Sequence, residues 1–450
     1  MLFEYIGDKK MRYLFIILLF IGELMGSLLP KHYIKELDNG LKVCVIPLHN
    51  NSNVITTNIF YRVGSGSEMM GKSGLAHMLE HMNFKSTKNL KAGEFDKIVK
   101  EFGGVNNAST SFDHTQYFIK SSSQNLEKSL ELFAELMANL ELKDEEFQPE
   151  RKVVLEERLW RTDNNPVGYL YFRLFNEHFV SHSYHWTPIG FLEDIKKWQI
   201  GDLKQFHKKF YRPDNAILVV AGDINESRVF EAAQKYFGHI KNPPLDKNCS
   251  IFNTFTPSEP PRDSAKRVTL QKDNNSVDMV AIAYDIPNFK DKDQVGLSVI
   301  SEILSNGKSS RLYKRLVEEE QIATMVYGYN MELKDKGVFI FLAMANPNSN
   351  AQELEKSILE EIKKIKEGKV SQDELEKVKL NTKFSFIKEL ENSSDIASLF
   401  GSYLAKGDLE PLLKYEDNLD KITLKDIQDI AKKYFDNQKS TTIIFKGVKK

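Results

Sequence analysis

The chain has few cysteines and almost no net charge. Its two cysteines, Cys44 in LKVCVIP and Cys249 in a linker, are too few for a disulfide framework. They could pair in an oxidising compartment, but a chain of 450 residues has a core large enough to need no such staple, and we expect two free thiols. The 62 basic and 63 acidic residues give a formal charge of −1, so nothing steers the protein toward nucleic acid.

Long apolar runs are also scarce, and the one that stands out, YLFIILLFIG, directly follows Met11 and Arg12. It has the length of a signal-peptide core and is short for a membrane span. We therefore expect residues 1–29 to be a signal peptide, with the start at Met1 or Met11, and the protein to be exported to the periplasm or outside the cell. No clear small-residue cleavage motif is present, which leaves an uncleaved membrane anchor as the alternative.

The segment GLAHMLEHMNFK carries the most chemistry, because His77, Glu80 and His81 fall within five residues. Side chains four apart on an α-helix lie one above the other, so His77 and His81 can direct ring nitrogens at one Zn²⁺ ion. Glu80 lies on nearly the same face and could take a proton from a metal-bound water. This order is the inverted form of His-Glu-Xaa-Xaa-His, itself a zinc-peptidase signature. The alternative is a helix whose histidines are only buried and hydrogen-bonded.

A catalytic zinc ion needs a third protein ligand. Glu157, in PERKVVLEERLWRTDNNP, is a candidate because the stretch has helical periodicity and recurring acidic positions. Glu150 lies two turns earlier on the same side and could orient a ligand from behind. A glutamate here could also be a solvated charge, and the adjacent Glu156 is the rival ligand if the helical register differs.

These motifs resemble the pitrilysin/insulinase family of inverzincin zinc metallopeptidases, in its half-length bacterial type. Glu157 follows His81 by 76 residues, which matches the family's spacing. The resemblance implies that the zinc ligands are His77, His81 and Glu157. It further implies that Glu80 is the base acting on a zinc-bound water and that Glu150 assists.

The segment FGGVNNASTSFDHTQYF resembles the family's active-site edge strand, with Asn107 at the position that contacts substrate, and YHWTPIG resembles a second family segment. An exposed edge strand binds a peptide as an added strand and reads its backbone more than its side chains. The resemblance therefore implies an endopeptidase of broad specificity that acts on peptides or unfolded segments.

One family feature is missing from the second half. Single-chain members carry an Arg and a Tyr seven residues apart, and alignment on SSRL places those positions at Val317 and Thr324. Tyr327 and Tyr329 lie near but out of register. The resemblance implies a dimer, which we expect to be a heterodimer with a paralogous subunit that carries the Arg/Tyr pair; a homodimer is the alternative. A noncatalytic scaffold subunit of a larger assembly is the competing function.

Two internal matches indicate a duplicated domain. GLAHMLEHM resembles GLSVISEIL, in which Val299 and Ile303 replace the histidines. DLKQFHKKFYRPDNAILVVAG, from Asp202, resembles DIQDIAKKYFDNQKSTTIIFKG, from Asp426, at nearly the same offset. In each half, strand-like segments precede long helical ones.

We therefore predict an α+β fold of two tandem homologous domains, each a mainly antiparallel sheet with helices on one face. The first, residues 30–240, carries the zinc site. The second, residues 266–450, lacks metal ligands, and a proline-rich linker, 241–265, joins the two. The family resemblance implies that the pair forms half of a clamshell.

Overall fold

The chain folds around two β-sheets. A computed structural model describes residues 28–244 and 258–448. The strands are β1 (Tyr33–Glu36), β2 (Lys42–Pro47), β3 (Val54–Tyr61), β4 (Val105–Thr110), β5 (Thr115–Ser122), β6 (Ala216–Gly222), β7 (Lys266–Gln271), β8 (Met279–Ile286), β9 (Ala323–Met331), β10 (Gly337–Ala345) and β11 (Ser440–Lys446).

The helices carry most of the remaining sequence. They are α1 (Leu75–Met82), α2 (Glu94–Glu101), α3 (Leu126–Asn139), α4 (Asp144–Arg158), α5 (Pro166–His178), α6 (Leu192–Lys197), α7 (Ile200–Phe210), α8 (Glu226–Phe237), α9 (Gln294–Ser305), α10 (Ala351–Lys366), α11 (Gln372–Glu389), α12 (Ser393–Lys406), α13 (Glu410–Leu413), α14 (Tyr415–Lys421) and α15 (Leu424–Tyr434). Two π-helical turns, Leu159–Asp163 and Tyr313–Glu319, interrupt this pattern.

Some predictions concern residues that the structure does not describe. The predicted signal segment, apart from Leu28 and Leu29, lies there, as do Cys249 and most of the predicted linker. Cys44 is buried and forms no disulfide within the described residues. Among the helices of residues 28–244 and 258–448, none combines the length and hydrophobicity needed to cross a bilayer.

The two sheets repeat one strand order. The first runs β1-β2-β6-β3-β5-β4 and the second β7-β11-β8-β10-β9, so β2 to β6 of the first half correspond to β7 to β11 of the second. Each sheet contains one parallel pair, β2 with β6 and β7 with β11, and all its other pairs are antiparallel. The prediction of two tandem α+β domains with mainly antiparallel sheets is confirmed.

Each sheet packs helices of its own half on one face. Helices α1, α3, α7 and α8 bury an apolar core against the first sheet, and α9, α10 and α15 do the same on the second. The opposite faces are also covered, and the prediction of a single covered face was incomplete. Strand β6, AILVVAG, is buried at every position, because a strand that is apolar on both sides needs a layer on each.

The second layer comes from a reciprocal exchange of helices. Helix α12 of the second half packs Ile396, Ala397 and Phe400 on the far face of the first sheet. Helix α5 of the first half packs Leu170 and Leu174 on the far face of the second sheet. The two halves are therefore joined through continuous apolar cores.

Candidate active site

Helix α1 places both histidines of the inverted motif on one face. The rings of His77 and His81 lie one turn apart with their centroids separated by 4.7 Å. The other face of the helix is fixed by Met78, Leu79 and Met82, which are fully buried in the core of the first half. The apolar residues thus hold this short helix in place and leave the histidines facing outward from the core.

The N-terminus of α1 is capped by a residue that the sequence did not reveal. Gly74 occupies the N-cap in a left-handed conformation with φ of 87° and offers no side chain. The buried carboxylate of Glu68 instead accepts hydrogen bonds from the backbone amides of Gly74 and Ala76, each at 2.7 Å. Trp186 donates its indole N–H to the same carboxylate at 2.7 Å. Burial raises the pKa of Glu68 to about 8, and these three donors oppose that shift.

Trp186 lies in YHWTPIG, so this segment contacts the carboxylate that caps α1. Its last residue, Gly190, has φ of 76° and lies against the backbone of Ser73, where a Cβ atom would find no room. The Ser73 hydroxyl donates to Asp194 at 2.6 Å and accepts from the Phe191 amide at 2.8 Å. The segment therefore positions the metal-binding helix.

Helix α4 brings Glu157 to the two histidines. Its Oε2 atom lies 3.6 Å from Nε2 of His77 and 3.4 Å from Nε2 of His81. One ligand atom from each of the three residues lies within 4.8 Å of the other two. Glu156 is exposed and belongs to no such cluster among the described residues. Arg161, one turn after Glu157, places its Nε atom 3.0 Å from the second carboxylate oxygen.

Glu150 lies behind His81. Its Oε1 atom is 2.8 Å from Nδ1 of His81, and Lys85 lies 2.6 Å from Oε2. When Nδ1–H donates to a carboxylate, the Nε2 lone pair faces the metal position. The hydrogen bond from His81, helped by Lys85, lowers the pKa of Glu150 to about 2.

The two histidines differ in their electrostatic surroundings. Burial, together with the neighbouring His81, lowers the pKa of His77 to about 4, which favours a neutral ring that can bind metal. Burial also disfavours charge on His81, but the bonds with Glu150 and Glu157 outweigh it and raise its pKa to about 9. Metal binding at His81 would therefore displace a proton.

Glu80 has a partner on the edge strand. The hydroxyl of Thr110, in β4, donates to Oε2 of Glu80 at 2.5 Å. Burial raises the pKa of Glu80, and the Thr110 hydrogen bond partly opposes the shift. A carboxylate that is held in place and made more basic is suited to accept a proton.

Asn107 lies on the same edge strand. Strand β4 pairs only with β5 among the described strands, so its other edge offers free backbone groups. Side chains alternate along a strand, and the exposed Asn107 points to the opposite side from Thr110. The structure thus places Asn107 on an open edge next to α1 but does not direct its side chain at Glu80.

Within residues 258–448, the two positions aligned with the family's Arg/Tyr pair hold an apolar and a small polar side chain. Val317 lies in a π-helical turn and packs against the core, and Thr324 lies on the edge strand β9. The nearby arginines are engaged elsewhere: Arg311 pairs with Glu374 at 2.5 Å, and Arg315 with Glu360 at 2.5 Å.

The donor set fits a catalytic zinc ion. Two imidazole nitrogens and one carboxylate oxygen are a ligand combination of hydrolytic zinc sites, which keep one position open for water or substrate. All three ligands come from α-helices, and His81 and Glu157 have supporting partners in Glu150 and Arg161.

Known proteins are similar to this chain in sequence and in fold. The family model described as "Insulinase (Peptidase family M16)" matches residues 44–176, and that described as "Peptidase M16 inactive domain" matches residues 197–382. The zinc protease PqqE of Helicobacter pylori is 51% identical over 420 residues, which span 93% of this chain and 94% of that protein.

Two further comparisons agree. The crystal structure of a protease from Helicobacter pylori superposes with a TM-score of 0.90 at 51% identity, covering 93% of this chain and 100% of that one. The beta subunit of the mitochondrial-processing peptidase of Saccharomyces cerevisiae is 26% identical over 419 residues, 90% of this chain and 88% of that protein. The chain therefore belongs to peptidase family M16, the insulinase family.

Proposed function

We propose that this chain is a zinc-dependent endopeptidase that cleaves extended peptides or unfolded segments. The observation that carries the proposal is the convergence of His77, His81 and Glu157 on one point, with Glu80 held beside them by Thr110. The name of the Helicobacter relative, a zinc protease, supports the same chemistry.

The residues of this chain would divide the reaction between them. A zinc ion bound by His77, His81 and Glu157 would supply Lewis acidity, polarising the scissile carbonyl and lowering the pKa of water. Glu80 accepts the proton of the attacking water and later returns it to the leaving nitrogen. Thr110 holds the Glu80 carboxylate in position for both transfers.

The open edge of β4 would bind the substrate. An extended peptide can pair with the unpaired backbone groups of this strand, which runs past Glu80. Asn107, exposed on the strand, is placed to hydrogen-bond the bound chain. A folded substrate could not pair with an edge strand, which favours peptides and unfolded segments.

We further propose that the active form is a heterodimer. Val317 and Thr324 cannot replace the cation of the family's arginine or the phenol of its tyrosine. Arg311 and Arg315 are held in ion pairs within the described second half. A partner subunit would bring the missing groups. The related mitochondrial peptidase chain is named as a beta subunit, which is consistent with paired chains.

The test combines metal analysis with peptide hydrolysis. Purified protein should contain zinc at about one ion per chain. Together with a partner subunit, it should cleave an internally quenched peptide in a reaction that a chelator stops and zinc restores. A chain without bound zinc and without activity in any complex would contradict the proposal and favour a noncatalytic scaffold.

Export remains a separate proposal that rests on the apolar run after Met11. Expression of the full chain with a C-terminal tag, followed by N-terminal sequencing of the exported form, would distinguish cleavage near Ser27 from an uncleaved anchor. A full chain retained in the cytosol would contradict it.

A further inference from the structure

Trp160 is the exposed member of a small set of tryptophans. The chain has three, of which Trp186 and Trp198 are 2% and 0% exposed, whereas Trp160 is 73% exposed. A single exposed apolar residue is unremarkable, but a largely exposed indole is costly surface to leave in water. The position of Trp160, close to Glu157 in the sequence, suggests a role for the exposed side chain.

Trp160 lies beside the proposed metal site. It follows the ligand Glu157 by three residues, and Val153, which is 50% exposed, precedes that ligand by four. Val153 lies in α4 and Trp160 in the π-helical turn that follows it, and both side chains are exposed. Arg161, the next residue after Trp160, places its Nε atom 3.0 Å from the Glu157 carboxylate. The exposed indole therefore lies next in the chain to a residue that contacts the proposed zinc ligand.

The backbone that carries Trp160 is firmly fixed. The buried Arg158 bonds Asp163 through two nitrogens, each at 3.1 Å, and its guanidinium stacks over the ring of Phe172 at 3.8 Å. The Asn164 amide closes the π-helical turn on the carbonyl of Leu159 at 2.7 Å.

The next helix holds the same turn from its other side. Gly168 of α5 lies directly against the carbonyl of Arg161, where a Cβ atom would not fit. Lys272 of the second half, directly after β7, donates to the Asp163 carbonyl. A rigid backbone that presents an exposed indole is preorganised for binding, because little conformational freedom is lost when a ligand packs on it.

We propose that Trp160, with Val153, is a specificity contact that favours substrates with an aromatic or long aliphatic side chain close to the scissile bond. This inference rests on the proposed peptidase function and narrows it, since pairing with β4 alone would read only the peptide backbone. The neighbouring Arg161 is 64% exposed and would disfavour a basic substrate side chain at this position.

Tryptophan fluorescence tests the contact without any need for turnover. The zinc-loaded Glu80→Gln chain is titrated with two ten-residue peptides that differ at one position, Phe or Ser. The Phe peptide should shift the emission to shorter wavelength, because only Trp160 is exposed enough to respond, and Trp160→Ala should abolish the response. An unchanged spectrum with a peptide that binds by another measure would overturn the contact.

Kinetics separates this inference from the proposed function. Trp160→Ala should lower kcat/KM for the Phe peptide by about 10-fold or more and leave the Ser peptide unchanged, while Trp160→Phe restores most of the difference. Equal rates of wild type and Trp160→Ala on both peptides would refute the contact but leave the peptidase intact. A spectral shift caused by a partner subunit alone would also refute it, by assigning Trp160 to the subunit interface.

Discussion

At the scale of residues, the four glutamates around α1 have different partners and therefore different roles. Glu68 receives two backbone amides and an indole, Glu80 a threonine hydroxyl, and Glu150 a histidine and a lysine. Glu157 faces both histidines. Burial raises the pKa of Glu68 and Glu80, whereas the partners of Glu150 and Glu157 lower theirs despite burial.

Glu80→Gln should keep zinc and lose activity. The amide preserves the shape of the side chain and can still interact with Thr110, but it cannot accept a proton. Loss of a general base costs about 10²- to 10⁴-fold in rate. Metal analysis and peptide hydrolysis of the same preparation check this, and full turnover by the zinc-loaded variant would exclude Glu80 as the base.

Glu157→Gln should release zinc, with Glu156→Gln as its matched control. The two side chains point about 100° apart around the helix, and only that of Glu157 faces the histidines. Zinc retention after dialysis against a weak chelator measures the difference. Equal loss in both variants, or loss in the Glu156 variant alone, would show that the register is different.

At the scale of elements, α1 depends on contacts from outside itself. A helix of eight residues gains little from its own hydrogen bonds, and its N-cap glycine has no side chain that could cap the first amides. Its position is set by Glu68, by the YHWTPIG segment and by the core. Helix α4 likewise owes its alignment with α1 to apolar packing through Val154 and Phe147.

Glu68→Gln should therefore weaken both the fold and the metal site. A carboxamide has one acceptor oxygen for three buried donors, and leaving one donor unpaired costs about 1–3 kcal/mol. We expect a lower free energy of unfolding in denaturant and faster zinc loss to a chelator. Trp186→Phe, which removes a single donor and keeps the aromatic bulk, should have a smaller effect on both; unchanged zinc retention in Glu68→Gln would contradict this role.

Gly401→Ala tests the exchanged helix α12. Alanine normally improves a helix by about 1 kcal/mol, but a methyl group here would overlap the buried ring of Phe60 on the first sheet. Overpacking costs about 1–3 kcal/mol, so the variant should be destabilised. Gly201→Ala, in α7 with open space around it, is the control and should be neutral or slightly stabilising. Urea unfolding of both variants decides the matter.

At the scale of the whole molecule, the two halves have diverged in chemistry while keeping one topology. Val299 and Ile303 of α9 occupy the positions that His77 and His81 occupy in α1, and both are buried. The helix face that would bind metal in the first half is therefore part of the apolar core in the second. The exchange of α5 and α12 makes the halves one unit, and we expect them to unfold together.

The purified chain alone should be a weak peptidase that a partner activates. Loss of a single donor that stabilises the transition-state oxyanion commonly costs about 10²-fold, and a homodimer would still lack the Arg/Tyr pair. Titration with a paralogous subunit that carries the pair but not the zinc motif should restore the rate. Full activity of the chain by itself, unchanged by the partner, would show that Val317 and Thr324 cause no deficit.

The sequence determined the features that have a local signature. Spacing within one helix placed His77, Glu80 and His81 together, and the repeated segments around Gly74 and Gly296 disclosed the duplication. These follow from periodicities of a few residues, which a chain displays whatever surrounds it. The choice of Glu157 over Glu156 was suggested by family spacing, and the structure brings Glu157 to the histidines.

Only the tertiary structure decided the contacts between distant segments. The cap from Glu68, the hydrogen bond from Thr110 to Glu80 and the exchange of α5 and α12 carry no periodic signal. A carboxylate six residues before a helix N-cap, or an amphipathic helix in the other half, matches many partners equally well from sequence. What selects one partner is packing, because buried donors and apolar faces must all be satisfied together, and that condition exists only in the folded chain.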